Sequence, residues 1–430
     1  MPGFPLGQDS KGGSQEGMRR VVITGVGAVT PLGIGVEKSW QALCQGISAV
    51  GMITRFDAKK HRCQIAAEVK GFNPDDFMEK KQIRSMDLFI QYAIAAARMA
   101  MEDSNFDITS VDENRAGLIV GSALQGMQTM EHNQQLLLEG MQDKISPFFI
   151  PGFIANMAGC QIAIAFGIKG PLICPVTACA TGTHAIGDAF KMIQQGGTDF
   201  MLAGGAEAAI TPLICAGFDA LKVTSPRNNE PERASRPFDK DRDGFTPGEG
   251  AGIVILEELE MALRRGAKIY AEVTGYGVTN DAYHIVSTDP KGDGAARCMK
   301  MALADAGISS NQVDYINAHG TSTIVNDLSE TMAIKTAFGE YSKMVPVSSN
   351  KSMIGHLMGG SGAVEAIFTA LTIRDGVIPP TINYETPDPQ CDLNIVPNIA
   401  MKAKVNIAIS NSFGFGGTNG VLVLKEFSGQ

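Results

Sequence analysis

Only a few of this chain's eight cysteines and six histidines stand where chemistry could be done. Cys179 lies in "CPVTACATGTHAIGDAF", Cys174 to Phe190, where a β-like run meets small residues. Ala185, Ile186, Ala189, Phe190 and Ile193 follow at helical spacing, so Cys179 falls at or just before a helix N-terminus. Unpaired N–H groups and the helix dipole there favour a thiolate, which predicts a lowered thiol pKa. The strand-to-helix turn, cleared by Ala178, Ala180, Thr181 and Gly182, has the form of a nucleophile elbow. The bland reading of a cysteine, an inert buried thiol, is kept for the other seven.

His319 ends an apolar strand in "NAHGTSTIVND", and His356 follows a strand in "SSNKSMIGHLMGGSG". Together with Cys179 they would make a Cys-His-His pocket. A lone loop histidine is more often a surface or supporting residue, and His61, His132, His184 and His284 keep that reading. Lys351 sits five residues before His356, and Glu330 in "NDLSETMA" could pair with it, which spacing alone does not show. In "SNSFGFGGTNG" four glycines fall within seven residues, Gly414 to Gly420, which predicts a flexible loop. Its backbone N–H groups could face an oxyanion, and Phe413 and Phe415 on a mobile hinge suit gating. The bland alternative is a tight turn packed on the core.

These residues need a scaffold, and the pattern around them supplies one. From Arg19 strand-like runs alternate with helical patterns, the signature of α/β architecture. The pattern also repeats. "VITGVGAVT" resembles "EVTGYGVTN", "AGLIVGSALQG" parallels "VDYINAHGTST", "PVTAC" parallels "PVSSN", and "GAGIVILEE" parallels "TNGVLVLKE". Their common order predicts a duplicated chain, with equivalent strand ends converging where α/β proteins place ligands. The expected division is an N-terminal half, 18–268, and a C-terminal half, 269–430. The Gly/Ser/Gln-rich residues 1–17 read as a flexible extension without a signal-peptide core.

Composition narrows the function classes. A net charge of −9 argues against a nucleic-acid partner. No run is long and apolar enough for a membrane span, and Phe149 to Val176 reads as core or subunit interface. No C-x-x-C pair occurs, so zinc is not expected, and the thiols fit a reducing compartment. "GVGAVTPLG" lacks the G-x-G-x-x-G spacing of a dinucleotide site.

The set "VTACATG", "RPFDKDRDGF", "NAHGTST", "SSNKSMIGH" and "NSFGFGGTNG", in this order over Arg19 to Phe427, resembles the β-ketoacyl-acyl carrier protein synthases, and most closely the synthase II group. The resemblance implies a duplicated thiolase-like fold: two βαβαβαββ halves in a five-layer α-β-α-β-α sandwich. It also implies a homodimer and a ping-pong Claisen condensation with no metal or organic cofactor. It makes Cys179 the acyl-carrying nucleophile and His319 and His356 the donors to the malonyl thioester, with Lys351 and Glu330 ordering them. The N–H groups of Cys179 and Phe415 become the oxyanion hole. Thr321 and Thr323 become holders of the pantetheine arm, and Leu124 the residue that sets acyl-pocket depth at the dimer interface. The implied partner is acyl carrier protein, docking on Lys81, Arg84 and Lys144, in a bacterial-type cytoplasm or an organelle.

Some positions depart from the family pattern. Ile324 stands where proline often follows "HGTST", Asn350 and Ile354 replace threonines, and Ser85 and Asp143 occupy positions often basic. A degradative thiolase would need a late second cysteine, and none follows Cys391. A polyketide-type ketosynthase shares the chemistry, while a non-catalytic chain-length factor would lack the nucleophilic cysteine.

Overall fold

In the computed structural model, which describes residues 17–429, the two halves use the same element order. The expected extension, 1–17, lies outside the described residues except for Gly17. The first half runs β1 (Val21–Thr30), α1 (Leu88–Ser104), β2 (Ala116–Gly121), α2 (Met157–Phe166), β3 (Leu172–Ile173), α3 (Thr181–Gln194), β4 (Phe200–Glu207) and β5 (Gly250–Glu258). The second runs β6 (Ala271–Asn280), α4 (Asp293–Asp305), β7 (Tyr315–Asn317), α5 (Ile324–Phe338), β8 (Val347–Ser348), α6 (Ser361–Asp375), β9 (Ile407–Gly414) and β10 (Thr418–Lys425). Each is a βαβαβαββ unit. Further helices, such as Met127–Leu138 and Pro212–Leu221, belong to insertions in the first half.

The strands lie in the order β8-β7-β9-β10-β6-β1-β5-β4-β2-β3, the same sequence read outward from the centre in both directions. The halves join where β1 meets β6 antiparallel, through only three residue pairs, Val21 with Val273 to Ile23 with Ala271. α1 and α2 cover the outer face of the first half, and α4 and α5 that of the second. α3 and α6 touch strands of both halves and form the middle layer. The sandwich therefore has the expected five layers, with α3 and α6 buried along most of their length.

The repeated T-G-x-G has a packing cause. A side chain on Gly27 would put its Cβ 2.0 Å from the Ala96 carbonyl of α1, and one on Gly277 would meet the Cys298 carbonyl of α4 at 2.1 Å. Bare strands let each outer helix lie directly on the sheet. The middle layer has the same device. A Cβ on Gly182 would fall 2.6 Å from the Ala363 nitrogen, and one on Gly362 would fall 2.7 Å from the Thr183 nitrogen. The N-termini of α3 and α6 thus cross backbone to backbone.

One expected parallel is shifted. β3 precedes Pro175, whereas β8 lies inside "PVSSN", so the second half carries extra residues before its central helix. Those residues hold Lys351 and His356. The structural twin of the Cys179 turn, Ala178–Ala180, is not Ser349–Asn350 but Met358–Gly360. Both are single 3₁₀ turns directly before a central helix, and each starts at a non-glycine residue with positive φ, 51° at Ala178 and 46° at Met358.

Gly182→Ala therefore forces the crossing apart. It should destabilise the chain by ~1–3 kcal/mol, the usual size of core overpacking. Gly217→Ala, at a helical glycine with nothing within 4 Å of the added Cβ, should stabilise it by ~0.5–1 kcal/mol. Urea melts of both variants check the pair. Equal effects would show that the crossing is loose.

Candidate active site

Cys179 sits in the turn before α3, with only 8% of its surface exposed. The strained φ of Ala178 aims it at a cavity of about 400 Å³. His319, His356, Thr321, Thr323, Leu124, Phe413 and Phe415 line the same cavity. The structure thus brings Cys179, both histidines and the expected pocket residues around one space.

The electrostatics of the thiol run opposite to the helix-dipole expectation. Burial pushes Cys179 up to about 12, while the nearby Lys351 charge and the Phe415 N–H pull it back. At neutral pH the resting group is therefore a thiol, with the N–H groups of Phe415 and of Cys179 itself close to its sulfur. Burial, and then the Lys351 charge, hold both histidines well below the ordinary imidazole range. They are neutral at physiological pH. Their rings stand edge to face, 5.4 Å between centroids.

The tautomer of His356 can be read from its partners. The Met358 N–H donates to His356 Nδ1 at 3.3 Å, and Ser361 Oγ lies 3.0 Å from the same atom. An accepting Nδ1 leaves the proton on Nε2, so the ring can donate. Phe245, from "RPFDKDRDGF", packs edge-on against His356 at 5.5 Å. The rest of that motif buttresses the Thr321–Thr323 loop. Arg242 lies beside Asp327, which accepts the Ser322 N–H at 3.2 Å.

The predicted Lys351–Glu330 pair does not form. Lys351 Nζ donates instead to Glu365 of α6, and both side chains are fully buried. Burial raises Glu365 to about 7, against the pull of Lys351. Glu330 has another task. It accepts the N–H groups of His319 at 2.8 Å and Gly320 at 2.7 Å, and the Asn411 side-chain amide at 3.2 Å. It clamps the backbone of the His319 turn without touching Lys351.

The glycine-rich stretch is also less loop-like than its composition predicts. Phe413 and Gly414 are strand residues, paired with Asn419 and Thr418, and only Phe415–Gly417 form the hairpin turn. Phe413 is buried with its ring 5.8 Å from His319, so its backbone is not a hinge. Gly414 is required for approach: a Cβ there would come within 3.1 Å of the Cys179 nitrogen. His184 ties the elbow down, with Nδ1 2.8 Å from Thr177 Oγ1 and Nε2 donating to the Asn419 carbonyl at 3.1 Å.

Sequence reasoning missed two residues. Lys222 lines the cavity from the exposed end of Pro212–Leu221, with no local motif to mark it. Glu207, the last residue of β4, is fully buried near Cys179. Its only sequence signal is a lone carboxylate closing the apolar strand "FMLAGGAE". Lys81, Arg84 and Lys144 are exposed, as expected of docking residues.

A buried thiol beside two neutral histidines, on a duplicated thiolase-like fold, defines a condensing acyltransferase. Comparison with known proteins makes the assignment specific. Residues 18–262 match the β-ketoacyl synthase N-terminal domain, and residues 270–385 its C-terminal domain. The chain belongs to the β-ketoacyl synthase family. A 3-oxoacyl-[acyl-carrier-protein] synthase 2 of Coxiella burnetii is 53% identical over 408 residues, covering 95% of this chain and 99% of that protein. One from Synechocystis is 50% identical over 409 residues, covering 95% and 98%. Among solved structures, the ishigamide ketosynthase/chain length factor superposes with a TM-score of 0.90 at 38% identity, covering 96% of this chain and all of that one. A type II polyketide ketosynthase in complex with its acyl-carrier protein superposes at 0.89 and 36%, covering 95% and 100%.

The Lys351–Glu365 pairing is testable by double-mutant cycles. Lys351→Met alone should cost ~3–5 kcal/mol, because it strands a buried carboxylate. Combining it with Glu365→Gln should recover more than ~1 kcal/mol, while combining it with Glu330→Gln should be additive within ~0.5 kcal/mol. Chemical denaturation reads both cycles, and a larger coupling to Glu330 would restore the sequence-based pairing.

Proposed function

We propose that this chain is a 3-oxoacyl-[acyl-carrier-protein] synthase of the type 2 kind. It elongates fatty acyl chains by two carbons, through decarboxylative condensation of malonyl-ACP with an acyl group held on Cys179. The observation that carries this reading is that Cys179, His319 and His356 line one largely apolar cavity.

The first step is thiol exchange. The Cys179 sulfur attacks the thioester carbonyl of acyl-ACP, the carrier thiolate leaves, and the thiol proton passes to it. The N–H groups of Cys179 and Phe415 stabilise the tetrahedral oxyanion. A thiol that is protonated at rest suits this exchange, since no net charge is left in a dry pocket. In the second step the malonyl thioester carbonyl accepts hydrogen bonds from the neutral His319 and His356. The bond to the carboxylate breaks, CO₂ leaves, and the electron pair becomes an enolate. The enolate carbon attacks the acyl-Cys179 carbonyl, and the cysteine sulfur is expelled as a thiolate that takes a proton from water. Lys351, held by Glu365, keeps the pocket positive toward both anions, and Glu330 holds the His319 turn. Thr321 and Thr323, whose hydroxyls lie 3.0 Å apart, would receive the pantetheine arm. Rotation of the Phe413 and Phe415 side chains would gate the pocket.

Carrier protein is acidic, and this chain carries −9, so docking needs local cations. Lys81, Arg84 and Lys144 are the proposed set, with Lys222 at the cavity. The homodimer would form at the β3 edge, where Ile164, Ile173 and Val176 leave apolar surface exposed. Sedimentation at the 45.5 kDa of one chain would exclude it. The halves would divide at 268/269, to be checked by limited proteolysis. Eight free thiols fit a reducing cytoplasm, or an organelle if the source is eukaryotic. Cell fractionation would test that placement. Identities of 50–53% with synthase 2 proteins, against 36% with the type II polyketide ketosynthase, favour fatty acids over polyketides.

Cys179→Ser should abolish condensation, and mass spectrometry should find the acyl group on Cys179 of the native protein. His319→Ala and His356→Ala should still acylate while malonyl-ACP decarboxylation falls by ~10²–10³, the usual effect of deleting an oxyanion donor. An acyl group on another cysteine, or decarboxylation that survives either histidine change, would overturn these roles.

An acyl-ACP ladder tests the pocket and the docking face together. Leu124→Phe should reject long chains by more than ~100-fold while sparing short ones, at ~0.8 kcal/mol per excluded methylene. Lys81→Glu with Arg84→Glu should raise KM for every acyl-ACP and leave acyl-pantetheine turnover unchanged. A uniform loss across lengths with Leu124→Phe, or equal KM effects on both substrate types, would move these sites elsewhere.

A further inference from the structure

The repeat assigns Cys179 a twin, and the twin's surroundings are occupied. Matching Ala178–Ala180 with Met358–Gly360 pairs Cys179 with Gly359. Matching the eight-residue strands β4 and β9 end to end pairs Glu207 with Gly414. In the first copy of the turn, Gly414 lies against the Cys179 N–H and leaves it open to the cavity. In the second copy, Glu207 stands where the glycine would be, and its Oε2 accepts the Gly359 N–H at 3.1 Å. The same carboxylate accepts from Ser122 Oγ at 2.9 Å, the Ala123 N–H at 3.0 Å and the Leu124 N–H at 3.2 Å. It is held by one hydroxyl and three backbone N–H groups, a hole of the kind that serves an oxyanion. We infer that Glu207 is a positioning residue whose carboxylate permanently fills the second-half counterpart of the oxyanion hole, and thereby fixes His356 and the acyl-pocket wall in one arrangement.

Two connections give this arrangement its consequence. Gly359 follows Met358, whose N–H sets the tautomer of His356. Met358 is held at a positive φ that a side chain disfavours, so the turn needs an anchor. On the other side, Glu207 binds the backbone of Leu124, the proposed floor of the acyl pocket. One anion thus spans the sites of both substrates. Burial raises its carboxyl to about 7, against the pull of the four donors.

The inference rests on the assignment of His356 to malonyl decarboxylation, and the test separates the two. Decarboxylation of malonyl-ACP is measured for the native enzyme, His356→Ala, Glu207→Ala and Glu207→Gln. Glu207→Ala should lower kcat by about 10–100-fold with little change in KM for malonyl-ACP, the size expected when a reacting group is misplaced by ~1 Å. Formate, a carboxylate small enough for the vacated hole, should restore a saturable part of that rate, and chloride at equal ionic strength should not. Formate should also return the acyl-ACP length profile toward that of the native enzyme, because Leu124 shares the anchor. If Glu207→Ala does not fold, Glu207→Gln serves. Its amide keeps the shape but turns an N–H toward a backbone donor, and kcat should fall several-fold at constant KM. A folded Glu207→Ala with native decarboxylation and native length profile overturns the inference, as does a loss that formate leaves untouched. So does a Glu207→Gln enzyme indistinguishable from native. If His356→Ala itself decarboxylates normally, it is the assignment of His356 that fails.

Discussion

The candidate site depends on a steric constraint far from obvious chemistry: α3 and α6 cross at their N-termini with backbone close against backbone. Gly182 and Gly362 are the two bare positions, and each lies against the backbone of the other helix. Because the elbows immediately precede those helices, the crossing brings Ala178–Ala180 and Met358–Gly360 into one neighbourhood. Cys179 then faces His356, which precedes the second elbow, and His319, which follows β7 in the same half. A gap of a single methyl at the crossing would shift Cys179 from His319 and His356 by a distance that would matter to the proposed condensation.

Around this junction the protein buries charge in an organised way. Glu207, Glu330 and Glu365 are all buried at the site, and burial raises each to about 7. Only Glu365 has a cation, Lys351. The other two hold backbone: Glu330 the His319 turn, Glu207 the turn beyond His356. Each histidine thus rests on a loop pinned by a carboxylate, while Lys351 biases both rings toward the neutral form that donates a hydrogen bond. In the proposed reaction the lysine would also lower the cost of the thiolate and the enolate. One buried cation therefore acts on all three reacting groups, which is why its own partner has to be equally dry.

Much of this was legible in the sequence, for physical reasons. T-G-x-G repeats because each outer helix needs bare strand to lie on, so a packing rule left a visible motif. Cys179 announced itself because an elbow needs small neighbours. The histidines showed because strand ends and glycines bracket them. Pairing was not legible. Lys351 chooses Glu365 over Glu330 because α6 runs past the lysine, a fact of topology and not of spacing. The thiol pKa ran the wrong way because a helix N-terminus is visible in sequence and desolvation is not. Glycine content predicted a mobile loop where glycines serve a hairpin and a close approach to Cys179. Matching "PVTAC" to "PVSSN" followed letters, while the true twin of the elbow lies beyond the residues that carry His356.

That displacement explains how a duplicated fold comes to have one active site. Two identical elbows would give two identical holes on either side of the crossing. At the first-half turn the facing strand end, from β9 of the second half, is Gly414, the N–H groups stay open, and the turn carries sulfur. At the second-half turn the facing strand end, from β4 of the first half, is Glu207, the turn carries glycine, and the hole is closed by the protein's own anion. The extra residues before α6 then bring Lys351 and His356 across to the open hole. Symmetry supplies the geometry twice, and a glycine-to-carboxylate difference at one strand end decides which copy binds substrate and which holds the other in place.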